Sequence, residues 1–186
     1  MKTTILHEFP SSRRWRAKWI WAEGPGREPN SYYLFRRKFH LDGDGSGCRI
    51  FITAGTRYQL YINGRFIQRG APQSQPFFQY YDEHDLEEHL HSGENIIAVI
   101  VNYVGNMPDT RSGLLAELVD AKEICIASTD DSWRVCRAKA WQSKTHCVPG
   151  NQATPYQEFF DARLFPENWA EIDFDDSAWP QAVILR

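Results

Sequence analysis

Two pairs of carboxylates stand out as residues that could do chemistry. Glu158 with Asp161, and Asp175 with Asp176, are of the type that glycoside hydrolysis uses, one carboxyl acting as acid and the other as base or nucleophile. That reaction depends on the separation of the two carboxyls in space, which their separation along the chain does not give. A second cluster, His84, His89 and His91 in "YDEHDLEEHLH", has metal-ligand residue types. It lacks helical spacing such as His-Glu-x-x-His, and its polarity predicts a solvated connection. A third, "DGDGSG" at 42–47, imitates the first half of an EF-hand loop. Position 12 of such a loop would be Thr53 and not the bidentate glutamate, and a strand pattern follows where a helix should. A turn between strands is expected there. Cys48, Cys125, Cys136 and Cys147 show no Cys-x-x-Cys spacing, so neither a zinc site nor disulfides are expected, and Cys125 in "EICIAS" reads as a buried free thiol. No Gly-x-Ser-x-Gly, phosphate loop or dinucleotide fingerprint occurs. No metal and no cofactor are therefore expected.

The elements that would position these residues are short strands. In "RYQLYINGRFIQRG", Tyr58, Leu60 and Ile62 alternate with Gln59, Tyr61 and Asn63, the period of a strand with one buried face. Asn63-Gly64 supplies two residues that tolerate positive φ, as a type I′ hairpin turn requires. "YYLFRRKFHL", "CRIFITAG", "LLAELV", "EICIAST" and "SWRVCRAKAW" read as further strands. "GENIIAVIVNYVG", an unbroken branched run, predicts a central strand buried on both faces. "PQSQPFFQYYDEHDLEEHL" reads as a long connection with one helical turn at "DLEEHL". Seven or more short strands about ten residues apart, with few helices, predict an all-β fold: an antiparallel β-sandwich or jelly roll. Residues 1–30, with Trp15, Trp19 and Trp21, read as an arm packing on a sandwich formed by 31–186.

Composition agrees with a globular chain: 186 residues, 42% apolar and 24% charged, with a net charge of −3. The mixed charge suggests neither nucleic acid nor an anionic membrane as partner. No apolar run approaches the roughly 20 residues of a spanning helix. "MKTTILHEFPSSRRW" lacks a signal-peptide core, so a cytoplasmic location is the expectation. The 7 Trp, 8 Tyr and 11 Phe can build a core and can also stack on sugar rings.

"AKWIWA", "YYLFRRKFHL", "ITAGTRYQLYINGRFI", "GENIIAVIVNYVG", "STDDSWRV", "EFFDAR" and "FDDSAW", in this order, resemble the N-terminal accessory region of bacterial alpha-L-rhamnosidases. The pattern around "LYING" is also similar to sugar-binding domains of beta-galactosidase-like enzymes. The resemblance implies a jelly roll like the galactose-binding modules, within a parent enzyme that removes terminal alpha-L-rhamnose from glycosides. In that family the catalytic acid and base lie on a separate (α/α)6 barrel. The chain is accordingly expected to be non-catalytic, a fragment or free-standing relative, with that barrel and a rhamnose-containing glycoside as its partners. The loop "NYVGNMPDTRSG" departs from the Gly-Trp-Tyr type that often follows the strong strand. A sugar-facing surface would draw on Tyr103, Asp109, Arg111, Trp141, Glu158, Asp161 and Arg163, with polar loop groups above an aromatic ring. The competing expectation is structural: Trp141 in the core, and Arg163 holding Asp161 or Glu158 to pin the last strand. Alternation places Phe159 and Asp161 on one side of "EFFDAR", with Glu158 and Phe160 on the other. The rival functions are the sugar-binding domain of a beta-galactosidase-like glycosidase and a stand-alone lectin-like module.

Overall fold

The structure, a computed structural model, describes residues 13–24, 28–71, 79–106, 111–148 and 156–185, and the backbone alone for 4–9. Twelve strands occur among them: β1 (Thr4–Phe9), β2 (Ile20–Trp21), β3 (Ser31–Leu41), β4 (Arg49–Ala54), β5 (Arg57–Ile62), β6 (Arg65–Gly70), β7 (Gln79–Asp85), β8 (Gly93–Tyr103), β9 (Leu114–Val119), β10 (Cys125–Ser128), β11 (Arg134–Arg137) and β12 (Val183–Ile184). The larger sheet runs β1-β7-β4-β9-β2-β12, with β10 also paired to β9, and the smaller runs β11-β3-β8-β5-β6. All pairings are antiparallel, so the fold is the predicted β-sandwich. Segment 42–47 is a turn between β3 and β4, with Gly45 and Gly47 at positive φ.

Period-2 alternation divides the side chains between two layers. Phe35, Leu60, Ile62, Val99 and Val101 of the smaller sheet meet Ile20, Trp21, Ile50, Ile52, Leu114 and Leu118 of the larger one. The opposite face of β8, Ile96, Ala98 and Ile100, is buried in a second cluster with Leu34, Trp169 and Ala170, fringed by Trp141, Phe165, Phe174 and Trp179. Strand β8 is therefore apolar at nearly every position because the C-terminal segment covers its outer face.

One side chain clamps that cover. Arg36, on the outer face of β3, is 0% exposed. It bonds the carboxylate of Asp176 at 2.8 Å and the carbonyls of Trp169, Glu171 (3.1 Å) and Phe174 (3.3 Å), and it lies 4.9 Å from the centre of the Phe174 ring. A buried guanidinium is tolerated when its donors are satisfied in this way.

The larger sheet differs from expectation at β7. "QYYDEHD", expected within a solvated connection, is a strand between β1 and β4, and Tyr81, Asp82, Glu83 and His84 are buried. The reason is pairing. Arg49 holds Glu83 at 2.8 Å, and the Tyr58 hydroxyl donates to Asp82 and lies 3.0 Å from His84 Nε2. The polar pattern of the segment hid a strand whose polar groups find partners inside. The expected helical turn is a 3-10 turn at Glu87–His89. The segment before β2 lies on the outside of the larger sheet. Glu117 accepts the backbone N–H groups of Arg16 (2.6 Å) and Ala17 (3.1 Å), and Trp15 meets Tyr81 edge-on at 5.1 Å.

The hairpin turn is as predicted, with φ of 48° at Asn63 and 76° at Gly64. The Asn63 side chain accepts from Ile96 N–H at 2.9 Å and donates to the His89 carbonyl at 2.9 Å, while Gly64 N–H bonds Ala170. The turn thus docks on both β8 and the C-terminal cover. A Cβ at residue 64 would run into the Glu171 carboxylate. Gly64→Val should lower stability by about 1–3 kcal/mol, and an unshifted thermal melt would contradict the turn assignment. Arg36→Met should cost more, about 3–5 kcal/mol, because it leaves the Asp176 carboxylate and the Trp169 and Phe174 carbonyls without the guanidinium that bonds them. Urea denaturation with an unchanged midpoint would show that the clamp is dispensable.

Candidate functional site

Among the described residues, the C-terminal cover does not reach the whole outer face of the smaller sheet. Where it stops, an open groove of about 590 Å³ remains, lined by Tyr32, Arg57, Gln59, Ile100, Asn102 and Glu158 and continuing past Arg69 to Tyr58 and Asp82. Register explains its composition. Tyr32, Asn102 and Arg57 are opposite one another across β3, β8 and β5, and Ile100, Gln59 and Arg69 form the next row across β8, β5 and β6. Outward positions near the ends of these strands thus bring two guanidiniums, two amides and a phenol ring to one face. The groove reaches Asp82 and Tyr58 because residue 70 is glycine. A Cβ there would collide with the Asp82 carboxylate and the Tyr58 ring.

Behind Tyr32 and Glu158, which line the groove, stands Trp141. Trp141 stacks on Tyr32 with ring centres 4.4 Å apart and an interplanar angle of 11°. It also touches Phe160 (4.7 Å) and Phe165 (5.3 Å), and its indole N–H donates to Glu158 at 2.7 Å. Glu158 and Phe160 therefore share the Trp141 side, as alternation predicts, and Phe159 faces solvent. Burial, with the nearby charge of Glu158 adding to it and that of Arg57 opposing it, pushes the Tyr32 phenol up to about 12.

The other sequence candidates lie elsewhere. Tyr103 is 7% exposed and packs in the core against Trp21 at 6.2 Å. Arg111 is exposed on a loop, and Asp109 is outside the described residues. Asp161 and Arg163 bind each other through two contacts of 2.8 and 2.6 Å, and Asp161 also accepts the Arg163 backbone N–H at 3.1 Å. Arg163 thus holds Asp161, as the structural expectation has it, but the pair faces solvent and not the interior. The chain leaves the extended form at Asp161 for a 3-10 turn, Ala162–Leu164, and the pair caps that turn. The anchoring comes from backbone bonds, Asp161 N–H to Ala140 at 2.8 Å and Gln142 N–H to Phe159 at 3.1 Å. The Arg163 guanidinium holds the Asp161 carboxyl below the usual carboxylate range, the reverse of what a general acid needs.

Sequence reasoning missed Tyr32, Arg57, Gln59, Arg69, Asp82 and Asn102. The alternation of the hairpin strand does place Arg57 and Gln59 outward. Nothing in the sequence reveals that Asn102 and Tyr32 lie opposite them.

The fold and the groove define an antiparallel β-sandwich module whose aromatic, amide and guanidinium lining suits a hydroxyl-rich ligand. Residues 45–186 match the alpha-L-rhamnosidase N-terminal domain family, and the chain belongs to it. It resembles the crystal structure of a GH78 family rhamnosidase from Bacillus sp. GL1, with a TM-score of 0.84 and 35% identity over 94% of this chain and 19% of that one. An alpha-L-rhamnosidase of Streptomyces avermitilis is 25% identical over 96% of this chain and 15% of its own length. A lectin from Pleurotus ostreatus, solved in complex with GalNAc, shares the fold at a TM-score of 0.57 and 22% identity, over 90% of this chain and 42% of the lectin. The chain spans about a fifth or less of the length of these rhamnosidases.

Beneath the groove lies the acid-sensitive part of the sandwich. Burial pulls His84 down from 6.5 to about 4, the Glu83 charge partly opposing. Burial raises the Asp82 carboxyl, and the Tyr58 hydrogen bond partly offsets the rise. As pH falls below 6.5, the unfolded chain takes up a proton on His84 that the folded chain refuses until about 4. Stability from this residue is therefore complete above pH 6.5 and is lost towards pH 4. Asp82 acts with the opposite sign, and only above its ordinary value of 3.8. Between pH 7.5 and 5 the wild type should lose about 1–2 kcal/mol through His84, and His84→Gln should lose less. Equal losses in thermal melts of the two would assign the sensitivity elsewhere.

Proposed function

We propose that the chain serves as a non-catalytic accessory domain of an alpha-L-rhamnosidase-type glycoside hydrolase, with an architectural role and a sugar-binding groove. Hydrolysis is assigned to a separate helical domain of the parent protein, which together with a rhamnose-containing glycoside makes up its partners. The observation that carries the sugar-binding part is the groove itself. Tyr32 and Ile100 offer an apolar floor for the C–H face of a pyranose, and Gln59, Asn102 and the two arginines can bond its hydroxyls. The fold likeness to a lectin favours a second reading, a lectin-like module that acts without a catalytic partner.

Two carboxyls, Asp82 and Glu158, line the groove, so catalysis is open to direct test. Asp82 is engaged by the Tyr58 hydroxyl and Glu158 by the Trp141 indole, which fits a binding role better than that of an acid and base poised about a scissile bond. The isolated chain should not release aryl leaving groups from an aryl alpha-L-rhamnoside above the buffer rate. Turnover that disappears in Asp82→Asn or Glu158→Gln would overturn the non-catalytic assignment. Titration of L-rhamnose and galactose should perturb Trp141 fluorescence or the resonances around Tyr32. Gln59→Ala should weaken any such binding about tenfold, the loss of one well-formed hydrogen bond to a ligand. Sugar affinity unchanged in that variant would place binding outside the groove.

A further inference from the structure

We infer that the groove holds a saccharide of at least two rings, one lying on Tyr32 and Ile100 and the next donating a hydroxyl to the Asp82 carboxylate beyond Gly70. The inference rests on the reading of the groove as a sugar site and specifies its ligand class. Tyr32 and Asp82 mark the two ends of the lining. Tyr32 stands on β3, and β8, β5 and β6 follow across the sheet. Gly70, opposite Tyr58 on β6, is therefore three strand spacings from the strand of Tyr32, roughly 14 Å, and the Asp82 carboxylate lies against Gly70. A single pyranose resting on the Tyr32 ring does not span that distance. A second ring linked to the first does.

The far end is built to receive a hydroxyl. Asp82 is 6% exposed and lines the groove. One of its oxygens takes the Tyr58 hydroxyl, the one hydrogen bond of that carboxyl among the described residues. The other oxygen is left for a donor arriving from the groove, and the missing Cβ at Gly70 leaves the way to it open. Between the two ends the amides are already oriented. The Gln59 carbonyl accepts the Tyr61 hydroxyl at 3.1 Å, so its NH2 group is left to donate. The Asn102 NH2 group faces the Asn30 side-chain oxygen and the Ser31 carbonyl, each at 3.5 Å, so its own carbonyl oxygen is left to accept. Acceptor, donor and acceptor thus alternate from Asn102 through Gln59 to Asp82, a pattern that suits hydroxyls, which do both. Arg57 and Arg69 are balanced by Asp82 and Glu158 in the same lining, so the groove calls for no net charge on its ligand.

The test titrates the whole chain, by calorimetry and NMR, with L-rhamnose, D-glucose and two disaccharides of these sugars that differ in linkage, rutinose and neohesperidose. At least one disaccharide should bind about tenfold more tightly than either monosaccharide. Its binding to the wild type should shift the Tyr32 ring resonances and the Gly70 and Ala71 amides together. Asp82→Asn keeps an oxygen for the Tyr58 hydroxyl and turns the free acceptor into an NH2 donor. It should bring that disaccharide down to the affinity of the better monosaccharide in the same variant. Arg65→Gln, an exposed residue of the same hairpin outside the groove, should change nothing. Melting curves confirm that both variants fold, and the wild-type shifts decide the matter if Asp82→Asn does not. No gain from either disaccharide, a gain that survives Asp82→Asn, or one that leaves Gly70 and Ala71 unmoved, overturns the two-ring site while the sugar site stands. Binding of none of the four sugars overturns the two together.

Discussion

The C-terminal cover depends on one buried cation. Arg36 lies wholly out of water, yet its donors reach a carboxylate and three carbonyls of a segment more than 130 residues away in the chain. Segment 169–176 is irregular, so its carbonyl groups have no ladder to bond them. The guanidinium supplies that partner, and Phe174 closes over it. With the clamp in place, Trp169 and Ala170 settle on Ile96, Ala98 and Ile100, and the small sheet gains a second apolar layer. Without it, those branched side chains of β8 would face water.

The extent of that cover also defines the groove. Its upstream part is held by the isolated bridge between Trp141 and Phe160 and by the stack of Trp141 on Tyr32. Beyond Tyr32 the residues of the sheet face change from apolar to polar: Arg57, Gln59 and Asn102 replace the Ile and Ala rows. Structural and functional readings of Trp141 and Glu158 are thus joined. The indole seals the edge of the cover and orients the carboxylate at the rim of the groove. Asp161 and Arg163, a few residues on, do neither, because the 3-10 turn carries them out to solvent.

Strand β7 shows how polar residues enter a core when geometry supplies partners. Asp82 and His84 point between the sheets to a single hydroxyl, that of Tyr58, while Glu83 points outward to Arg49. Burial makes these groups costly to ionise, and through His84 this strand couples the sandwich to pH between about 4 and 6.5. Gly70 leaves the buried set open to the groove, so that the polar interior and the proposed binding face are contiguous.

The sequence alone determined the strands with a clear period, the Asn63-Gly64 turn, the antiparallel sandwich and, through the ordered segments from "AKWIWA" to "FDDSAW", the rhamnosidase accessory family. These are local signals: alternation, positive φ at a two-residue turn, and a pattern of residues in fixed order. Tertiary structure decided what depends on register and on distant pairing. It made a strand of "QYYDEHD", whose polarity masks burial until Tyr58 and Arg49 are brought to it. It placed Tyr103 in the core and turned Asp161 outward. It also assembled Tyr32, Arg57, Gln59, Arg69 and Asn102 from four strands into one groove. Hydrogen-bonded register joins Tyr32 to Asn102, 70 positions apart in the chain, and no periodicity within a single segment carries that information.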